Sequence, residues 1–430
     1  MAREEVTVER VVPGGSGLAR LDGAVVLVAG GMPGDRLLVE PRSDGPRLLR
    51  ADALSVLSPG PHRRAAEEVC PLAREGACGG CDWPAARIES HGPLKEELVR
   101  DALRRIGRVP DDEVPGIRFV ASPRSYRLRS RLRWDGNGAL GFLGRSSSRV
   151  ADVDWCEVVS AALLERLPAL RKALAASNVP ECELQTLEGN DGSPLLGELR
   201  FERALPEPER IAAALHGPLD GVRVLFSGRL AASRGPSSLR LLVAGAPFQV
   251  SVSSFFQANR FLVDAFLEEA RAVARDAARA GVSRGALDLY AGAGFLTRAL
   301  LEAGFETEAV ESDRSSSTDL VANLAAWKGE GLPGRGRAVG RLVEEHLLRE
   351  RERRDVVFAD PPREGLSPAV RKALLRISPR SLFLVSCDPA TFARDLAALL
   401  PRYRVAALTL LDLFPGTHHV ETVARLERRG

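Results

Sequence analysis

The residues of this 430-residue chain that could do covalent chemistry fall in its last quarter. Asp360 lies in VVFADPPREGL and Cys387 lies in FLVSCDPATFARD, each just after an apolar run typical of a buried strand. Glu421 follows a loop that holds His418 and His419. A thiol that adds to an electrophilic carbon, and a carboxylate that then removes a proton, are components of covalent catalysis. The plainer interpretations are a buried thiol, a turn-forming Asp and an exposed Glu.

A glycine-rich turn precedes these residues. In ALDLYAGAGFLTRAL, a strand pattern leads to Gly292 and Gly294 and then to a helix pattern, an arrangement that lets the backbone approach a ligand. The next strand pattern ends in Glu311, which is 23 residues after Asp288 and can accept hydrogen bonds from a ribose diol. Such a site suits a dinucleotide or S-adenosylmethionine. Thr297 stands at the third glycine position of the dinucleotide motif, which argues against a dinucleotide.

These groups meet the needs of one reaction, the methylation of uracil at C5. C5 is a poor nucleophile until a thiolate adds at C6, after which C5 can take a methyl group from a sulfonium. A base must then remove the C5 proton so that the thiol can leave. The segment supplies a Cys, carboxylates and a methyl-donor site. A dinucleotide-dependent oxidoreductase, the competing enzyme class, would leave Cys387 without a role.

A second group of cysteines suggests metal or cluster ligation. Cys70, Cys78 and Cys81 crowd into twelve residues with the spacing C-x7-C-x2-C. A fourth ligand is needed, and Cys156 is the best candidate, with Cys182 as the second choice. Zn²⁺ and a [4Fe–4S] cluster both accept four thiolates, and the spacing does not separate them.

An arginine-rich segment, SYRLRSRLRWD at 125–135, indicates a nucleic-acid contact. In a strand, arginines at alternating positions point to one face, where their repulsion calls for an anion such as a phosphate backbone. Pairing with Asp and Glu on an exposed strand is the plainer interpretation. The arginines concerned are Arg127, Arg129, Arg131 and Arg133.

The patterns along the chain predict an α/β protein of three domains. Residues 1–60 read as short strands with glycine-rich turns, which predicts an OB-like β-barrel. Residues 61–260 mix strand and helix patterns in an α+β domain that carries the four-cysteine cluster (70–156). Residues 261–430 alternate strands and helices, which predicts a doubly wound, Rossmann-like domain with a mostly parallel sheet.

The composition is that of a soluble globular protein, with 45% hydrophobic and 27% charged residues. We see no apolar run long enough for a membrane span and no apolar signal-peptide core at the start. We therefore expect a cytoplasmic protein without a membrane partner, and a monomer. The net charge of +3 does not by itself indicate nucleic acid.

Taken together, the motifs resemble the RNA uracil-5-methyltransferase family over nearly the whole chain. That family combines a TRAM domain, an iron–sulfur motif and a class I methyltransferase domain. The resemblance implies that residues 1–60 are an RNA-binding TRAM barrel and residues 261–430 an S-adenosylmethionine-dependent methyltransferase domain. It favours [4Fe–4S] over zinc, with Cys70, Cys78, Cys81 and Cys156 as ligands. It also implies an RNA substrate, ribosomal RNA first and tRNA as the close alternative.

The same resemblance assigns individual roles. Cys387 of SCDPAT would be the nucleophile, Glu421 of FPGTHHVETV the proton-abstracting base, and Asp360 of DPPREG would lie between cofactor and target base. The cofactor contacts that it implies are Gln257 of SFFQANRFL, Tyr290, Gly292, Gly294, Phe295, Glu311 and Asp360.

Two positions depart from the family pattern. Phe295 stands where an Asn usually touches the cofactor, and Asp388 replaces the Asn after the nucleophile. An anion next to Cys387 would raise the thiol pKa. These departures motivate a different hypothesis, a non-catalytic RNA-binding protein with a vestigial methyltransferase domain.

Overall fold

In the computed structural model, which describes residues 3–145, 147–352 and 354–430, the N-terminal segment forms a sheet of short strands. The strands are β1 (Glu4–Thr7), β2 (Arg10–Val11), β3 (Gly17–Leu21), β4 (Ala24–Ala29), β5 (Arg36–Val39), β6 (Arg42–Gly45) and β7 (Leu48–Ser58). They follow the order β1-β5-β7-β4-β3-β2, with β6 paired to β7. Alternate residues such as Val26 and Val28 are buried in a small core, as the period of two in a strand requires.

The middle of the chain builds a mostly antiparallel sheet. Its strands and helices are α1 (Pro71–Arg74), α2 (His91–Ala102), β8 (Ile117–Val120), β9 (Arg129–Trp134), β10 (Leu140–Leu143), β11 (Val150–Asp152), α3 (Ala161–Ala176), β12 (Cys182–Glu188), β13 (Leu195–Phe201), α4 (Pro208–Leu215), β14 (Gly221–Phe226), β15 (Arg229–Arg234), β16 (Ser238–Val243) and β17 (Ala246–Ser251). The central sheet has the order β11-β10-β9-β12-β13-β14-β15, and β16 and β17 form a separate hairpin.

One face of the central sheet is apolar and packs with α3 and α4. Leu132, Leu184 and Leu199 on adjacent strands are buried together with Leu163 and Leu167 of α3. The Ser160 side chain accepts a hydrogen bond from the Leu163 N–H and so begins α3. The other face carries polar side chains together with Leu187 and Leu196, which are buried in a separate apolar cluster with the β16–β17 hairpin.

The C-terminal segment is a doubly wound α/β unit. Its elements are α5 (Val263–Arg279), β18 (Gly285–Leu289), α6 (Phe295–Glu302), β19 (Glu306–Val310), α7 (Arg314–Gly329), β20 (Arg335–Val339), α8 (Val343–Arg349), β21 (Val356–Ala359), α9 (Pro368–Ile377), β22 (Ser381–Ser386), α10 (Pro389–Leu399), β23 (Tyr403–Leu411) and β24 (Glu421–Arg428). The sheet order is β20-β19-β18-β21-β22-β24-β23-β8. The pairs from β20 to β22 are parallel, whereas β24 is antiparallel to both of its neighbours. The start of β24 therefore lies at the same edge as the carboxyl ends of the parallel strands.

Most predicted elements of the C-terminal unit are confirmed, but the unit also recruits earlier chain. β8 pairs in parallel with β23, and Val99 and Ala102 of α2 are buried in the core between the sheet and its helices. The domain boundary predicted at residue 260 does not include these earlier elements. The local sequence of a four-residue strand such as β8 does not indicate which distant strand it pairs with. Among the described residues, no helix combines the length and the apolar character needed to traverse a bilayer.

Candidate active site and cysteine cavity

The register of two strands brings Cys387 and Glu421 side by side. β22 and β24 are antiparallel and pair Ser386 with Thr422. Cys387 directly follows Ser386 and Glu421 directly precedes Thr422, so this register places the two residues at adjoining positions of the sheet edge. Cys387 is half-buried and Glu421 is buried, which differs from the plain expectation of an exposed Glu.

Asp360 reaches the same edge from the neighbouring strand. β21 ends at Ala359, which pairs with Leu384 of β22, so Asp360 begins the turn one strand away from Cys387. The buried Gln257 donates a hydrogen bond from Nε2 to Oδ2 of Asp360 at 3.4 Å. The SFFQANRFL motif thus contacts the DPPREG motif across 103 residues of sequence.

Burial and mutual repulsion shift the acid–base properties of this edge. Burial, followed by the charge of Glu421, raises the pKa of Cys387 to about 12. Burial raises the pKa of Asp360 to about 7. Burial and then Asp360 raise the pKa of Glu421 well above its ordinary value, while Arg363 opposes the increase. A cation bound at this edge would relieve the repulsion that all these groups share.

The turn after β18 is shaped to leave room for a ligand. Tyr290, Gly292 and Gly294 have φ values of +63°, +56° and +93°. A Cβ on Gly292 would have nothing within 4 Å, whereas one on Gly294 would lie 2.9 Å from Leu320. Gly292 therefore leaves open space, and Gly294 allows close packing. The Gly292 N–H donates to the Glu311 carboxylate at 2.9 Å, which fixes that side chain beside the turn.

The two departures from the family pattern have clear structural positions. The Phe295 ring is buried against Phe256 and Phe266, with centroid distances of 5.7 and 5.2 Å. It belongs to the aromatic core, and its contact with the cofactor stays a prediction. Asp388 is the N-cap of α10, where it accepts a hydrogen bond from the Thr391 N–H at 2.8 Å. Its charge also contributes to the raised pKa of Cys387, as predicted.

The clustered cysteines line a common cavity. Cys70, Cys78, Cys81 and Cys156 all contribute to its wall. Burial and then Cys156 raise the pKa of Cys81 to about 12. Four thiols on one cavity wall are the residue type that binds zinc or an iron–sulfur cluster. Cys182, the alternative fourth ligand, is instead buried on β12 in the core of the central sheet.

Arg127 lines the same cavity. It precedes β9, and its charge opposes the burial that raises the pKa values of Cys81 and Cys156. Its buried Nε has no hydrogen-bond partner in the part of the chain that the structure describes. Such an N–H is costly to bury unless it faces an anion, and a thiolate cluster is one.

The remaining arginines of the 125–135 segment divide into two kinds. Arg129 is buried and donates to backbone carbonyls of residues 252–254. Arg131 and Arg133 lie on the polar face, 3.4 and 3.2 Å from Glu183. Arg129, Arg131 and Arg133 alternate along β9 and so share one face, as predicted. The prediction is wrong for Arg127, which precedes the strand and lines the cysteine cavity.

A further set of potential ligands lies at the end of α8. Nε2 of His346 is 3.4 Å from Glu308 and 3.8 Å from Glu350. A terminal nitrogen of Arg354 lies 3.0 Å from each of the same two carboxylates. The guanidinium already supplies the positive charge that a metal would bring, so we interpret the set as an ion-pair network.

Sequence reasoning missed the residues that hold the loop between β23 and β24. The fully buried Lys95 donates to Asp412 at 2.5 Å and to the carbonyl oxygen of His419 at 2.6 Å. The side chains of Asp82 and His418 form a hydrogen bond. The one available sequence signal was Lys95, which lies among apolar residues of a helix pattern. A lysine is buried only when an acidic group pairs with it, so this position indicates such a partner.

Known proteins resemble both the sequence and the fold. Residues 335–429 match the model of the tRNA (uracil-5-)-methyltransferase family. An uncharacterised RNA methyltransferase of Thermosynechococcus vestitus is 30% identical, with 98% of this chain and 97% of that protein aligned. One from Streptomyces avermitilis is also 30% identical, with 98% of both chains aligned.

A solved structure shares the architecture. The Pyrococcus abyssi tRNA (uracil-54, C5)-methyltransferase, in complex with S-adenosyl-L-homocysteine, matches with a TM-score of 0.72 at 21% identity. The match covers 98% of this chain and all of that one. The α/β fold is thus that of a methyltransferase. The full-length relatives go further, and the chain belongs to the RNA uracil-5-methyltransferase family.

Proposed function

We propose that this protein transfers a methyl group from S-adenosylmethionine to C5 of a uridine in RNA, with Cys387 as the nucleophile and Glu421 as the base. The observation that carries the proposal is the antiparallel register that opposes these two residues. It joins a thiol and a proton acceptor at the edge where α/β sheets bind ligands.

The proposed reaction proceeds in successive steps, in which Cys387 adds to the base and Glu421 later removes a proton. The Cys387 thiolate adds to C6 of uracil, which forms a C–S bond and moves an electron pair onto C5 and O4. C5 takes the methyl group of the sulfonium, which leaves as S-adenosylhomocysteine. Glu421 then accepts the C5 proton, the C–H pair forms the C5–C6 double bond, and the C–S bond breaks to return the thiolate.

The methyl donor fits the charge and the space at this edge. Burial raises the pKa of Asp360, and burial together with nearby carboxylates raises the pKa of Cys387. A sulfonium at this edge would stabilise the charged forms of both groups. Gln257 and Asp360 are joined by a hydrogen bond at the edge. The residues proposed to hold the donor are Gln257, Tyr290, Gly292, Gly294, Glu311 and Asp360, together with the backbone at Phe295.

We further propose that the cysteine cavity holds a [4Fe–4S] cluster, with zinc as the alternative. Support comes from the shared cavity of Cys70, Cys78, Cys81 and Cys156 and from the unpartnered N–H of Arg127. The cluster would tie the segment around residues 70–81 to the segment that enters α3. Nothing in the methyl-transfer steps above depends on it.

The proposed substrate is ribosomal RNA. The target uridine must be unstacked to reach Cys387. We assign the binding of the surrounding RNA to a TRAM barrel at residues 1–60 and to Arg131 and Arg133. A tRNA is the second candidate, favoured by the Pyrococcus abyssi enzyme that matches this chain along its whole length.

Methyl transfer to RNA from cells that lack this protein tests the proposal. With labelled S-adenosylmethionine, purified protein should form 5-methyluridine at a defined position, and mapping of rRNA against tRNA identifies the target. Cys387→Ala should bind RNA without turnover, and Cys182→Ala is the matched control. RNA binding with no methyl transfer by the wild type would support the non-catalytic alternative and contradict the proposal.

A further inference from the structure

The loop that carries Glu421 is held by residues from two distant segments. His418 is three residues before Glu421. Its backbone N–H donates to Oδ1 of Asp82 at 2.9 Å, and its ring makes a second hydrogen bond to the same carboxylate. Asp82 directly follows Cys81. The cysteine segment and the base-bearing loop are therefore joined by a paired contact.

Backbone contacts strengthen the same junction. The Trp83 N–H donates to the carbonyl oxygen of Gly416 at 3.0 Å. A Cβ on Gly416 would lie 3.6 Å from Sγ of Cys81, so the loop passes directly against the cavity wall. From the other side, Lys95 donates to carbonyl oxygens of Phe414 and His419. The loop thus reaches Glu421 with little freedom to shift.

The N-terminal sheet keeps space for the pair. A Cβ on Gly15 would lie 2.7 Å from Nδ1 of His418 and 2.8 Å from Oδ2 of Asp82. Its neighbour Gly14 would have nothing within 4 Å, although both have positive φ values, +82° and +93°. Position 15 therefore needs a glycine, because a side chain there would collide with the Asp82–His418 pair.

The loop also reaches the catalytic edge through its next residue. The His419 ring lies 4.1 Å from the His418 ring, centroid to centroid. Nε2 of His419 is 3.3 Å from a terminal nitrogen of Arg363, and Arg363 is the cation that opposes the raised pKa of Glu421. A shift of His418 would move both the base and the cation beside it.

We propose that Asp82 and His418 are positioning residues that set the rate of C5 proton removal, by fixing the loop that presents Glu421. The inference rests on the proposed function, because it assigns these residues to one step of that reaction. Attack by Cys387 and methyl transfer do not need the base. Misplacement of a base by about 1 Å costs on the order of 100-fold, so the effect should fall on adduct release alone.

The test separates that step from the earlier ones. Full-length protein is given RNA from cells that lack it, with methyl-labelled S-adenosylmethionine, and label is counted in free RNA and in the protein–RNA adduct on denaturing gels. His418→Gln should release product at least about tenfold more slowly and accumulate methylated adduct. Asp82→Asn, which keeps an acceptor for the His418 N–H, should show a smaller delay of the same kind.

Matched variants and a substrate without the proton complete the design. Gly15→Ala should accumulate adduct as His418→Gln does, whereas Gly14→Ala and the exposed His216→Gln should behave as wild type. On rRNA and tRNA transcripts made with 5-fluorouridine, which lack the removable proton, His418→Gln and wild type should form adduct at equal rates.

The outcomes distinguish failure of the positioning role of His418 from failure of the proposed function. Release by His418→Gln at the wild-type rate would overturn the positioning role, as would equal slowing of adduct formation on fluorinated RNA. Failure of the wild type itself to form an adduct on fluorinated RNA would overturn the proposed function instead. Iron and sulfide analysis of each variant shows whether the cysteine cavity is altered, and release that slows only when iron is lost would also count against the role.

Discussion

The two places where cysteines meet other functional groups differ in how the chain builds them. Cys387 is placed by strand register, since the pairing of Ser386 with Thr422 leaves it opposite Glu421. The cavity cysteines are placed by loops that pack together. Their electrostatic surroundings differ as well. Cys387 lies among carboxylates, whereas the cavity thiols face one another and the cation of Arg127.

The difference teaches that burial alone does not define what a thiol does. Burial raises the pKa of both Cys387 and Cys81 to about 12. Only Cys387 has a proton acceptor opposite it, and only Cys81 has other thiols beside it. A lone sulfur with a base suits addition to carbon, and converging sulfurs suit a metal or cluster.

The largest expected effect concerns the catalytic edge. Glu421→Gln should reduce turnover by about 10²–10⁴-fold, because the proposed general base is lost. Covalent attack and methyl transfer should survive, so methylated adduct should accumulate on denaturing gels. Exposed Glu209→Gln on α4 is the control. Normal turnover by Glu421→Gln would show that Cys387 does not depend on a neighbouring proton acceptor. The proposed difference between the two cysteine environments would then be wrong.

The cavity should respond to substitution in a different way. Anaerobically purified wild type should contain iron and sulfide, and Cys78→Ser should lose both, because one of the four proposed thiolate ligands is missing. Cys182→Ser, a change of a buried thiol in the central sheet, should keep both. Stoichiometric zinc without sulfide in the wild type would contradict the iron–sulfur assignment and favour the zinc alternative.

The sequence grouped the residues of both places, but only at the sheet edge did a physical rule predict that distant residues meet. Asp360 and Cys387 follow apolar strands, and parallel strands align their carboxyl ends at one edge. The antiparallel direction of β24, which brings Glu421 to that edge, leaves no trace in a local pattern. The Asp82–His418 contact joins residues 336 apart, and no periodicity reports such a contact. The prediction of one face for all four arginines failed at Arg127 for the same reason, because tertiary packing decides where β9 begins.

A smaller effect is expected on RNA binding. Glu183 can neutralise only one of Arg131 and Arg133, so one positive charge stays available to a phosphate. Arg131→Ala should weaken binding severalfold for all RNA sequences and reduce the slope of log affinity against log salt by about one. Arg279→Ala, a similarly exposed arginine on α5, should change neither. Filter binding at several salt concentrations makes the comparison.

The smallest expected effect is on the reactivity of Cys387. Because its pKa is raised to about 12, alkylation by iodoacetamide should be slow at pH 7 and increase with pH up to that value. Asp388→Asn removes one of the anions that raise this pKa and keeps an N-cap side chain. At fixed pH the thiolate fraction, and so the alkylation rate, should increase about two- to threefold. Asp135→Asn, in the turn between β9 and β10, should leave the rate unchanged. A slower rate in Asp388→Asn would contradict the claim that Asp388 raises the Cys387 pKa.

The central claim is tested most directly by trapping the sulfur–carbon bond. Wild-type protein, S-adenosylmethionine and 5-fluorouridine-containing rRNA and tRNA transcripts should give a complex that survives denaturation, and peptide mass analysis should locate the bound nucleotide on Cys387. Cys387→Ala should give none. A stable complex attached through another residue, or no complex on either RNA, would contradict the account.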